Sequence, residues 1–156
     1  MSVPMSTMND NRFREILYGL DPIKQRGVAA AFAENVLFLC SASRLSAIVS
    51  LAKRPDVTDR ELAVAHQAAN AIKTERLCSC GSEVDWAIQS RYFVYRAALD
   101  CVKPAKNGVN LAWDAAMNSR IARICDGIAK GIGFARQEAE VQYRILSDFM
   151  NKQEGA

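Results

Sequence analysis

Apolar residues recur along this chain at helical spacing. Leu62, Ala65, Ala69 and Ile72 fall at intervals of three and four, which places them on one face of a helix. Between residues 83 and 102, Val84, Ala87, Ile88, Tyr95, Ala98, Leu99 and Val102 gather on one face in the same way. No stretch alternates apolar and polar residues long enough to predict a strand. The pattern predicts an all-α, single-domain bundle of six to seven mostly antiparallel helices with no sheet.

Start and stop signals divide the bundle. Asp10 is a candidate N-cap for a short helix from Arg12 to Tyr18, closed by Gly19. Asp21-Pro22 pairs a cap with proline at the first helical position and opens a helix to about Cys40. Ser43 can cap a helix that ends at Lys53, before Arg54-Pro55. Thr58 and Glu61 have the spacing of a capping box for a helix to about Arg76. Leu77 to Gly81 reads as a turn, and a long helix then runs from about Glu83 to Val102, stopped by Lys103-Pro104. Asn107 or Asn110 caps the next, through Ile128; Gly127, Gly131 and Gly133 predict a break, followed by a last helix to about Met150. Residues 1–11 read as a flexible N-terminal tail, 12–151 as the domain and 152–156 as a C-terminal tail.

Composition narrows the class. Alanine supplies 24 of the 156 residues, which favours helices and lets them approach closely. The longest apolar stretch, Val28 to Cys40, contains Glu34 and Asn35 and is too short to span a bilayer. The first residues lack the basic and apolar regions of a signal peptide, so a cytoplasmic protein with reduced, core-packed cysteines is expected. With 20 basic and 17 acidic side chains interleaved, the net charge of +3 gives no basic stripe, and no nucleic-acid partner and no membrane association are expected.

Candidate chemistry is sparse. The only histidine, His66, has no serine or cysteine in motif context and reads as structural. Cys78 and Cys80 lack the two-residue spacer of redox and zinc motifs; they read as a turn, with their redox activity left open. None of the carboxylate pairs Asp56/Asp59, Glu83/Asp85 and Glu138/Glu140 reads as two carboxylates on one helix face. No metal or organic cofactor and no catalytic residue is expected. The remaining irregularity is Trp86 and Phe93, seven apart on the side of their helix that should be wet, beside Gln89, Arg96 and Asp100. Two readings are open: a central helix packed on both sides, or an aromatic partner-binding ridge with a polar rim. Arg91, within the apolar face, is expected to snorkel or pair with a carboxylate.

The alanine-rich segments AAFAENVLFL (30–39), TDRELAVAHQAANA (58–71) and AWDAAMNSRIARI (112–124), the helix at 47–53 and the closing Gln142 to Leu146 form a recognisable series. In helix order and alanine texture the chain resembles the alanine-rich, all-helical immunity proteins of bacterial polymorphic and contact-dependent toxin systems. The resemblance implies a non-catalytic protein that binds a cognate toxin and occludes its active site. A chaperone or adaptor for a secretion or phage-related system is the alternative, and a DNA-binding regulator a more distant one. The toxin, the binding surface and the oligomeric state are not set by the sequence.

Overall fold

The computed structural model describes residues 4–41, 43–77, 85–132 and 135–155. It is an all-α, single-domain bundle of seven helices: α1 (Asp10–Gly19), α2 (Pro22–Val36), α3 (Ser43–Lys53), α4 (Asp59–Leu77), α5 (Trp86–Val102), α6 (Leu111–Lys130) and α7 (Ala135–Glu154). There is no strand among the described residues. None of these helices is long and apolar enough to cross a membrane.

The boundaries follow local chemistry. Asp21 accepts from the Lys24 amide, and Pro22 sits at the first turn of α2. Thr58 and Glu61 close the capping box reciprocally: the Thr58 amide donates to Glu61 at 2.8 Å and the Glu61 amide donates to the Thr58 hydroxyl at 3.2 Å. Asn110, not Asn107, caps α6 by accepting from the Trp113 amide, while its Nδ2 donates to the Leu17 carbonyl and ties down the end of α1. An N-cap of this kind stabilises a helix by about 1 kcal/mol.

Four expected boundaries shift. Asn9 rather than Asp10 caps α1, and Asp10 is its first helical residue, so the N-terminal segment is not simply a tail. Helix α2 stops at Val36 and continues as a single 3-10 turn, Leu37–Leu39. Helix α6 passes through Gly127 and ends where Gly131 adopts φ +74°, a conformation glycine enters without steric cost. Helix α7 runs to Glu154, so the residues after 151 are largely helical. The turn at Leu77 to Gly81, with Cys78 and Cys80, lies almost wholly outside the described residues, as do Glu83 and Val84.

Helices α2, α5 and α6 form the centre. Ala29, Ala30, Ala33, Ala97, Ala98, Ala112, Ala115 and Ala116 are buried completely, so the helices meet across methyl groups and approach closely. Helices α5 and α6 run antiparallel: the buried Ser90 hydroxyl donates to the Ala122 carbonyl near one end, and Lys103 bridges to Asp114 near the other. Helices α3 and α4 cover one flank of this centre, and α1 and α7 pack against α6. Phe13 fixes α1: it is fully buried, with Phe32, Trp113 and Tyr143 at ring-centroid distances of 5.6, 6.2 and 5.3 Å. Cys40, Cys101 and Cys125 are free and buried, and burial pushes the Cys101 thiol far above its ordinary range.

Candidate protein-docking face

The predicted ridge on α5 is graded. Asp85 caps the helix by accepting from the Ala87 and Ile88 amides, which leaves Trp86, the first helical residue, 41% exposed. One turn on, Gln89 is half-buried. Phe93 packs partly against the core and meets Tyr92 edge-on at 5.2 Å. Arg96 is half-buried over the Tyr92 ring and donates to its hydroxyl.

Asp100 corrects the expectation of a wet rim: it is only 3% exposed. Its carboxylate accepts from Lys103 Nζ at 2.8 Å and from Asn118 Nδ2 at 2.6 Å. Burial raises the Asp100 pKa despite these two donors. Burial also opposes the Lys103 ammonium, but the carboxylates of Asp100 and Asp114 outweigh it and its pKa ends above the usual value. The helix is therefore central, buried on two sides along its second half, and open to solvent only toward Trp86.

Helix α6 carries a second ridge that the sequence reading did not single out. Met117, Ile121, Ile124 and Ile128 follow at steps of four, three and four, which aligns them along one face. The opposite side of the helix, with Ala112, Ala115, Ser119 and Ala122, is in the core. Met117 and Ile121 are half-buried, whereas Ile124 and Ile128 are 38% and 48% exposed. The Gly131 turn extends the row: Ile132 donates its amide back to the Gly127 carbonyl at 2.7 Å and holds its own side chain half-exposed. Because α5 and α6 are antiparallel, exposed Trp86 lies at the same end of the bundle as Ile124, Ile128 and Ile132.

On its other side the α6 ridge borders a cavity of about 780 Å³ between the N-terminal segment and α7. Met5, Met8, Ile124 and Ala139 give it apolar walls, and Asp10, Arg120, Tyr143 and Arg144 a polar edge. Arg120 holds this edge together. It donates to Asp10 and to Gln142, each at 2.8 Å, and its guanidinium stacks over the Phe13 and Tyr143 rings. Burial works against the Asp10 carboxylate, but hydrogen bonds from Tyr143 and Arg120 bring its pKa below the usual value. Beneath lies Glu138, 1% exposed, which accepts from Asn35 and faces Arg123 at 3.4 Å; burial raises its pKa. Glu140, two residues on, is exposed, so the two carboxylates point to different environments.

The remaining singled-out residues are separate from this face. His66 is half-buried on α4, with a ring nitrogen 3.4 Å from Asn70 Nδ2. Arg91 is half-buried on α5. Asp56 pairs with Arg54, and Asp59 begins α4. Among the described residues, no group of three or more His, Cys, Asp or Glu side chains is placed to hold a metal ion. What the face offers chemically is apolar area at one end of a helical bundle, edged by ordered charges.

No protein-family model matches this chain, and no curated protein or solved structure matches it.

Proposed function

We propose that the chain is a stoichiometric protein-binding module, an immunity protein that neutralises a bacterial toxin by covering its active site. The observation that carries this reading is the apolar ridge Met117–Ile121–Ile124–Ile128, which shares its end of the bundle with exposed Trp86 and Ile132. Large contiguous apolar patches on monomeric proteins often mark docking sites. Each isoleucine fully removed from water stabilises a complex by about 1.5–3 kcal/mol, before the cost of association. A ridge held by a packed helix loses little entropy on binding, which suits stoichiometric inhibition.

The anatomy also fits an interface. Apolar anchors stand on α6, and Glu140 and Arg144, which line the adjoining cavity with Ile124, supply a polar rim. Asp100 is dropped from the proposed surface, because its carboxylate is spent inside the bundle.

The test is protection. The chain is co-expressed with candidate bacterial toxins, among them any encoded next to its gene, and growth is followed. Wild-type protein restores growth, and a double variant Ile124→Asp, Ile128→Asp, folded by circular dichroism, fails to do so. Full protection by the folded double variant, or no protection by the wild type, overturns the proposal.

A further inference from the structure

Away from α6, the pair α3 and α4 encloses an apolar groove of about 440 Å³. Ile48 and Leu51 from α3 face Val64 from α4, and Ala47, Ala65 and Ala68 leave room between them because each contributes a single methyl group. Val64 is 61% exposed, and Ala47 and Ala68 are exposed as well.

The charges around this groove are unevenly satisfied. Glu61 is engaged by Thr58 and Arg54, Arg54 also by Asp56, and Lys53 by Glu34. Arg60 lines the groove beside the α3–α4 connection. Arg44 stands three residues before Ala47 and four before Ile48, on the same face of α3, one turn beyond the far end. Both arginines are exposed, and neither forms a hydrogen bond or ion pair among the described residues. Asp59, next to Arg60 in sequence, is turned about 100° away from it by helical geometry. Among the described residues, the trough thus has an arginine without a partner near each end.

We propose that this groove is a second docking site, which receives an amphipathic α-helix of a partner protein carrying carboxylates at both ends of its apolar stripe. The two walls are helices whose backbone hydrogen bonds are closed internally, so they offer side-chain ridges and no strand edge. Another helix fills such a trough by laying its own ridge into it. Two cations on opposite ends match a ligand charged at both ends; a fatty acid, with one carboxylate, uses one of them.

The probe is a fluorescent helical peptide of about 14 residues, with leucines at i, i+4 and i+7 and glutamates beyond both ends of the stripe. Its twin carries lysines in place of the glutamates. Anisotropy titrations with the full chain are expected to give at least about tenfold tighter binding of the acidic peptide, weakening with salt. The double variant Arg44→Glu, Arg60→Glu reverses the preference, and Val64→Glu abolishes binding of both peptides while the helical circular dichroism is unchanged. Ile124→Asp, Ile128→Asp leaves peptide binding intact, so failure here is separable from failure of the α6 reading. Equal binding of the twins, no binding of the acidic peptide, saturable binding of laurate without peptide binding, or a protein dimer dissolved by Val64→Glu each overturns the proposal.

Discussion

Arg120 and Asp10, 110 positions apart in sequence, meet at 2.8 Å and join the first residue of α1 to the middle of α6. Tyr143 donates to the same carboxylate oxygen at 2.6 Å, so three helices converge on one acidic group. The Asp10 pKa is lowered below its unfolded value of 3.8. The contribution is therefore complete above that value and is lost as pH falls through the lower folded value. Asp10→Asn should cost no more than about 1 kcal/mol at neutral pH, because the side chain is 60% exposed and screened by solvent. Urea titrations should show the gap between variant and wild type closing as pH falls below 3.8; a constant gap across pH would contradict this account.

Asp100 should behave in the opposite sense. Its raised pKa means that ionisation costs stability, so its contribution improves as pH falls from the folded value toward 3.8. Asp100→Asn keeps the shape and an acceptor for Lys103, and should stay within about 1 kcal/mol of wild type at pH 7. Asp100→Ala leaves Asn118 without its carboxylate and Lys103 with Asp114 alone, and should cost about 1–3 kcal/mol. Equal losses in the two variants would refute the buried-network reading.

Two glycine substitutions should have opposite signs. A methyl group on Gly19 meets nothing within 4 Å, so Gly19→Ala should stabilise α1 by up to about 1 kcal/mol. Gly131 also has open space, but its φ of +74° strains any other residue, and Gly131→Ala should cost about 1 kcal/mol. Thermal unfolding of both variants checks the pair.

Trp86 and Phe93 should separate as well. Trp86→Ala removes a side chain at the open end of α5 and should leave thermal stability nearly unchanged, while weakening partner binding by about 2 kcal/mol. Phe93→Ala takes away core contacts and should destabilise by about 1–3 kcal/mol. A large stability loss on Trp86→Ala would remove that residue from the docking face.

Helix positions were legible because their signals are local. Asp21-Pro22, Thr58 with Glu61, and Asn110 each carry a cap within four residues of its target. What escaped depended on distant partners. Asp100 looked wet by periodicity, since Asn118, one of the groups that makes its burial tolerable, lies 18 residues away. Glu138 and Gln142 are buried for the same reason, through Asn35, Arg120 and the Ala116 carbonyl. The α6 ridge was hidden by alanine: with small apolar residues filling the core side, the larger isoleucines outside did not stand out as a separate stripe.

The central claim is that the outward face of α6 binds a protein. Isothermal titration of the full chain with an inactivated toxin against which it protects in the growth assay tests this most directly. The account predicts a one-to-one complex whose Kd rises at least about tenfold in Ile128→Asp, at unchanged folding stability. Binding by Ile128→Asp and by Ile124→Asp, Ile128→Asp that is as tight as wild type would contradict it.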